Sequence, residues 1–293
     1  MKNAVRFCVV ALLMMPWVLR AQQHTLELLV TFDYPHPPEN LTYVTGISNT
    51  GATVGYFSVT HTTAFVRSTK GTFSSPITVH NQAVFSGGIN TSGLVCGYTV
   101  AGPPALTNHG FFFQNKILTT YDVPGATQTD LFSLNDEGNF VGAYSVTNLF
   151  PTIGFTSIGG TIAEIDIPDS TIVLPAGINN SNEVVGIYGT AENINAQGFY
   201  QDANGVVITS LNYPGAGQTF LTGINDQGTI VGYYPRRFGG THGLLLESLT
   251  KFSTLDVPGS TSTEINAINN AGLVAGTCSF PDDSSTGFIA RIR

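Results

Sequence analysis

Side chains able to do chemistry are sparse in this chain, and one segment gathers most of them. Tyr233-Tyr234-Pro235-Arg236-Arg237-Phe238-Gly239-Gly240-Thr241-His242 sets two arginines and a histidine beside aromatic rings, in a chain with only 11 Lys and Arg in all. Guanidinium forks match carboxylates, and phenol faces stack on flat or ring-shaped ligands. Tyr234, Arg236, Arg237 and His242 are therefore the candidate site for an anionic group or a sugar. His109 occupies the same place in another sequence unit and joins them, with a metal or acid–base role in view. The competing reading is a solvated loop whose arginines offset an acidic surface, with both histidines held by structural hydrogen bonds. Exposed charge pairs are worth little, which favours that reading.

Other chemistry finds no support in the spacings. There is no His-x-x-x-His, Cys-x-x-Cys or His-Glu-x-x-His pattern, so neither a metal nor a cofactor is expected. Asp136-Glu137 and Asp282-Asp283 lack the dense oxygen ligands of a calcium loop. No Gly-x-Ser-x-Gly elbow, P-loop or dinucleotide fingerprint stands out.

The elements that must position these residues come from a repeat. Gly46-Ile47-Ser48-Asn49-Thr50-Gly51 recurs as Gly88–Gly93, Ser133–Gly138, Gly177–Asn182, Gly223–Gly228 and Ala267–Gly272, each followed by a short apolar run and Gly55, Gly97, Gly142, Gly186, Gly232 or Gly276. Each unit reads as four short strands, since β-branched and aromatic runs alternate with turn residues. The Asn-Asp-x-Gly type turn joins the first two, because Asn, Asp and Gly tolerate positive φ. A third strand opens on Gly or Ala before Phe or Leu. A fourth ends near Pro, as in Tyr121-Asp122-Val123-Pro124 and Leu255-Asp256-Val257-Pro258; residues 71–87 are degenerate there.

Four strands per unit of this size predict an all-β, six-bladed β-propeller with four antiparallel strands per blade. The N-terminal strand, Leu26 to Tyr34, is of the fourth type, and the chain ends on a third-type strand from Gly287. Pairing them completes the C-terminal blade and hides two open edges. A β-solenoid is the alternative. The Gly residues before Ile fall where blades converge, and those of the second strand permit close backbone approach or a bulge. Asp33, Asp122, Asp166 and Asp256, with Asn212 at the equivalent place, read as loop-fixing hydrogen-bond acceptors. Catalytic groups are singular, and these recur in nearly every unit. Cys96 and Cys278 fall in the second and sixth units, which are not neighbours in a ring, so buried free thiols are expected.

The pattern Gly-Ile-Asn-x-x-Gly-x-Val-x-Gly, followed by a residue pair before Phe, resembles the HAF-repeat family of predicted extracellular bacterial proteins. The name comes from a His-Ala-Phe motif, present here as His109-Gly110-Phe111 and His242-Gly243-Leu244; Thr63, Ile153, Gln197 and Thr286 replace the His elsewhere. The resemblance spans residues 31–293 and implies export and a repeat architecture. It implies no established activity.

Compartment and partners follow from the N-terminus and the charge. Lys2 and Arg6 precede an apolar run from Phe7 to Leu19, and Arg20-Ala21 ends it, the layout of a secretory signal over residues 1–21. The remaining 272 residues, 22–293, form a single propeller domain of about 45 residues per unit and carry 8 basic against 19 acidic groups, a formal charge of −11. That charge argues against nucleic acid and anionic membranes as partners. No second long apolar run suggests stable membrane insertion. A secreted or periplasmic location is expected.

Loops between second and third strands vary in length and content, and variable loops on a regular scaffold are where binding residues gather. The expected function is a non-catalytic interaction module binding a glycan or protein through that face, at the mouth of the central channel. Alternatives are a polysaccharide hydrolase or lyase, which requires two convergent carboxylates, and a structural surface protein.

Overall fold

The computed structural model describes residues 24–35, 41–58, 61–102, 107–147, 153–191 and 193–293. The segment read as an export signal lies outside them. Strand β1 (Leu26–Phe32) is followed by a first blade of β2 (Thr42–Ile47), β3 (Thr53–Ser58) and β4 (Thr62–Arg67). The second blade is β5 (Gln82–Ile89), β6 (Val95–Ala101), β7 (Asn108–Gln114) and β8 (Ile117–Tyr121); the third is β9 (Gln128–Leu134), β10 (Phe140–Ser145), β11 (Ile153–Ile158) and β12 (Thr161–Glu164). The fourth is β13 (Ile172–Ile178), β14 (Val184–Thr190), β15 (Asn193–Gln201) and β16 (Val207–Ile208), and the fifth is β17 (Phe220–Ile224), β18 (Ile230–Pro235), β19 (Thr241–Glu247) and β20 (Lys251–Thr254). The sixth holds β21 (Ser262–Ile268), β22 (Leu273–Ser279) and β23 (Ser285–Ile292), with β1 as its outer strand.

The fold is therefore the six-bladed β-propeller read from the repeat. β1 runs antiparallel to β23, pairing Leu26 with Ile292 and Phe32 with Gly287, and β2 packs on β21 and β22 to close the ring. Thr25 and Arg293 exchange backbone hydrogen bonds of 3.2 and 3.0 Å, and Arg293 pairs with Glu27. The degenerate unit is visible too. In the first blade the outer position is held by residues 73–77, which pair with β4 through the isolated bridges Arg67–Phe73 and Ala64–Ile77 and form no regular strand. No helix among the described residues is long and apolar enough to cross a membrane.

The third-strand aromatics form the core. Phe65, Phe111, Phe155, Phe199 and Phe288 are fully buried, with Leu244 in the sixth place. Each such ring contributes on the order of 2 kcal/mol by leaving water. Several lie over the second-strand glycines: a Cβ on Gly55 would meet the Phe65 ring at 2.7 Å, and one on Gly97 the Phe111 ring at 2.8 Å. Cys96 and Cys278 are buried and unpaired, in the second and sixth blades. Burial pushes their thiols up, to about 12 and about 11.

The recurrent turn asparagine links the blades. Its Oδ1 caps its own turn: in Asn225 it accepts from the backbone N–H of Gln227 at 3.1 Å and of Thr229 at 2.9 Å. Its Nδ2 donates to the carbonyl of the equivalent residue one blade on. The chain of bonds runs Asn90 to Asn135 (3.2 Å), Asn135 to Asn179 (3.0 Å), Asn179 to Asn225 (3.1 Å), Asn225 to Asn269 (3.3 Å) and Asn269 to Ser48 (3.0 Å). Ser48 has no amide with which to continue it, and there Thr45 and Ser86 hydroxyls meet at 3.0 Å instead. A second recurrent device was not anticipated from sequence. Buried Thr42, Thr129, Thr219 and Thr263 accept, through Oγ1, the backbone N–H at the end of the fourth-strand segment (Tyr34, Val123, Tyr213, Val257).

Three measurements test this framework. Asn225→Ala removes the acceptor of the Gln227 and Thr229 N–H groups and the buried bond to the Asn269 carbonyl of the next blade, which should lower stability by about 1–2 kcal/mol in urea unfolding; a loss below about 0.5 kcal/mol would contradict the role assigned to the amide. Cys96 and Cys278 should resist an aromatic disulfide reagent in the native state and react only on unfolding. Asp130 in β9 is buried with one side-chain partner, Asn108 Nδ2 at 3.0 Å, and desolvation pushes its carboxyl up to about 7 despite that bond. The folded state then binds the extra proton between about pH 4 and pH 7, so this group's contribution falls as pH rises through that window. Asp130→Asn should stabilise the protein at pH 8 and not at pH 4, by thermal unfolding at both.

Candidate functional site

Crowding at the ring axis shapes the site. A Cβ on Gly177 would lie 3.0 Å from the Gly223 Cα of the next blade, and one on Gly223 would lie 3.1 Å from the Ala267 Cα. Every inner strand carries a bulge at this level. The pairing skips Thr45, Gly87 with Gly88, Phe132, Ala176, Thr222 and Asn266. The bulge presses a carbonyl against the second-strand glycine: a Cβ on Gly232 would sit 1.9 Å from the Phe220 oxygen, and one on Gly276 the same distance from that of Glu264. The close approach expected of these glycines is confirmed, with the bulge on the inner strand opposite them.

A bulge re-aims side chains. Here it sets six cross-strand pairs at one level of the ring, on the side of the variable loops: Tyr43 with Tyr56, Phe85 with Tyr98, Asp130 with Ala143, Leu174 with Ile187, Phe220 with Tyr233, and Glu264 with Thr277. Three pairs are stacked aromatics, with centroids 5.0 Å apart for Tyr43–Tyr56, 5.0 Å for Phe85–Tyr98 and 4.7 Å for Phe220–Tyr233. Tyr56 meets Phe85 edge-on at 5.2 Å, which joins two pairs across a blade boundary. These three aromatic pairs, Leu174 with Ile187, and Glu264 line a bowl of about 380 Å³ together with Pro175 and bulge residues of the inner strands. That volume suits a small ligand.

Glu264 is the carboxylate lining this bowl, and no Lys, Arg or His lines it. Among the described residues the Glu264 side chain makes no hydrogen bond or ion pair, and burial raises its pKa above the usual carboxylate range. Burial, then the neighbouring phenol of Tyr43, then the Glu264 charge push the Tyr56 phenol up to about 12. Tyr233 is raised by burial, then by Glu264 and Tyr56. Asp130 stands at the equivalent position in the opposite blade, but its carboxylate is engaged by Asn108 and does not line the bowl.

The opposite mouth is closed by polar side chains. Asp136 Oδ2 accepts from Asn49 Nδ2 at 2.9 Å and Asn180 Nδ2 at 3.4 Å; Asp226 Oδ2 accepts from Asn180 at 2.9 Å and Asn270 at 2.5 Å. Burial would raise Asp136, but bonds from Thr91, Asn49 and Asn180 outweigh it and hold the carboxyl below its usual range. The spaces left in the channel are about 70 and 60 Å³, too small for a sugar.

The residues singled out from sequence lie apart from the bowl. Tyr234 is buried, stacked on Tyr213 at 3.8 Å, with its hydroxyl 2.8 Å from Thr254 Oγ1. His242 Nδ1 lies 2.7 Å from Asp256 Oδ2; Arg236 reaches the same carboxylate at 3.4 Å and donates to the Thr241 carbonyl at 2.9 Å. Arg237 is exposed, its guanidinium 5.5 Å from the Phe238 ring centre. His109 Nδ1 sits 3.0 Å from Asp122 and lines a separate cavity of about 270 Å³ with Thr99 and Gln82. The acceptor role read for the recurrent fourth-strand residues holds at Asp122, at Asp256, which also takes the Gly243 N–H at 3.2 Å, and at Asn212, which takes that of Gly198 at 3.2 Å. The segment Tyr233–His242 is strand at both ends in the structure, because Pro235 pairs with Thr241 and Tyr234 with His242, which leaves residues 236–240 as the loop. The bowl residues were missed singly, although the Gly-Tyr step of Gly55-Tyr56, Gly97-Tyr98 and Gly232-Tyr233 was a signal for them.

Comparison with known proteins agrees on architecture. No family model matches the chain, and no curated protein matches it. Solved structures do. A streptogramin B lyase superposes with a TM-score of 0.50 at 14% identity, over 90% of this chain and 87% of the other. A gluconolactonase from Xanthomonas campestris gives 0.52 at 9%, over 86% and 87%. A mutant of the Aleuria aurantia lectin in complex with Fucα1-6GlcNAc gives 0.53 at 10%, over 86% and 94%. At these identities the likeness is one of fold, and the chain is similar in architecture to enzymes and to a lectin alike.

Proposed function

We propose that this protein is a non-catalytic binding module that takes a glycan in the aromatic bowl on its variable-loop face. The observation that carries the reading is the ring of three stacked aromatic pairs around a cavity of about 380 Å³. Aromatic faces are amphipathic platforms, apolar across the ring and polar at the rim. Among the described residues the hydroxyls of Tyr56, Tyr98 and Tyr233 make no hydrogen bond, which leaves them to a ligand rich in hydroxyls. A protein partner would need a contact of about 1,200 Å² or more, and the bowl is small and concave.

Glycoside hydrolysis needs a second carboxylate near the first. Among the described residues lining the bowl Glu264 has no such partner, so binding is the better-supported role. The lectin of the same fold shows that such a scaffold can hold a sugar. We further propose that the chain is an exported member of the HAF-repeat family. The support is the six-unit repeat and the basic, then apolar, N-terminal segment.

Two experiments test this. In a glycan and polysaccharide screen, Tyr56→Ala and Tyr233→Ala should each weaken any hit at least about tenfold, roughly 1.4 kcal/mol, and Arg237→Ala should change it less than twofold. The reverse pattern would return the site to the Tyr233–His242 segment. N-terminal sequencing of the exported protein should begin at Gln22; recovery of the intact N-terminus would refute cleavage.

A further inference from the structure

The bowl carries a chemical bias that a site for neutral sugar does not require. Glu264 lines it with no partner among the described residues, and no cationic side chain lines it. A carboxylate taken partly out of water without a compensating charge is an unfavourable arrangement that a bound cation relieves. The surrounding walls act in the same sense. Tyr43, Tyr56, Phe220 and Tyr233 flank Glu264 in the two neighbouring blades, as three phenols and one phenyl ring. Aromatic faces carry negative potential and attract ammonium groups, more strongly where water is thinned.

The electrostatic links run through the same residues. The Glu264 charge is felt at Tyr56 and at Tyr233, so the acid lies between the aromatic walls of the first and fifth blades. Burial holds the Glu264 carboxyl above its ordinary range. A cation beside it would favour the ionised form and draw the group back down. An anionic sugar faces the opposite balance, since it would bring a second negative charge to an unpaired acid.

We propose that the bowl selects an amino sugar, with the sugar ring on the aromatic walls and its free ammonium on the Glu264 carboxylate. This rests on the glycan reading above and narrows it to one substrate class. Hydroxyl groups of the same sugar meet the unbonded phenols of Tyr56 and Tyr233 and the Asn266 side chain, whose Nδ2 already donates to the Val44 carbonyl at 2.9 Å. The acetylated form of the same sugar has no charge to offer and adds bulk where the carboxylate stands.

Calorimetric titration of the purified protein with β-1,4 oligomers of glucosamine, N-acetylglucosamine and glucose of equal length tests this. The glucosamine oligomer should bind at least about tenfold more tightly than the other two, and Glu264→Gln should reduce that ratio to below about twofold. The wild-type comparison needs no variant, so a misfolded Glu264→Gln does not blunt it. Equal affinity for the three oligomers overturns the inference and leaves the glycan reading standing. Choline binding as tightly as the amino sugar assigns the bowl to a bare ammonium and overturns the sugar part. Absence of binding to every glycan in the wider screen removes both.

Discussion

Six inner strands converge on one axis, and the space they leave one another is the constraint from which the rest follows. Blade backbones approach so closely that a side chain on Gly177 or Gly223 would meet the next blade's main chain. The inner strands bulge at this level, and each bulge drives a carbonyl onto its neighbouring second strand, where a glycine must receive it. Third-strand phenylalanines then fill the volume above that glycine. One geometric demand thus sets the glycine pattern, the aromatic core and the direction in which the inner residues point.

The two mouths of the channel differ because the turns and loops differ. On one face uniform Asn-Asp-x-Gly turns allow each asparagine to cap its own hairpin and reach the next blade, and an inner ring of amides and carboxylates closes the opening. On the other face the bulged strands splay large side chains outward around a bowl. A uniform repeat would have ringed that bowl with one residue type. Instead the third and sixth blades carry Asp130 and Glu264 where their neighbours carry aromatic or aliphatic side chains. Asn108 satisfies the first. The second is left facing the cavity, and the proposed choice of ligand turns on that difference.

Much of this was readable in the chain itself. The turn asparagines, the paired glycines and the third-strand phenylalanines recur because every blade faces the same physical problem, and recurrence is what a single sequence displays best. Closure by the N-terminal strand followed from which strand type each end carries. The face on which the bowl opens is the one whose loops vary in the sequence. The residues of the bowl were harder. Tyr43, Phe85, Leu174, Phe220 and Glu264 share a structural position, which Asp130 holds in the third blade, and not a residue type, so no repeat marks them. Arg236 and Arg237 drew notice because cations are scarce, yet Arg236 serves to hold Asp256 and its own hairpin. Glu264 resembles any other acid until burial and the lack of a partner set it apart. The threonines that cap the fourth-strand ends hid among the chain's other Thr residues for the same reason.

The most direct test of this account is a crystal structure of the protein with a glucosamine oligomer. It should show a sugar ring against Tyr56 or Tyr233, with the amine nitrogen about 2.7–3.2 Å from a Glu264 carboxylate oxygen. An oligomer seated on the outer blade edges or beside Arg237, or one in the bowl with its amine turned to solvent, would contradict it.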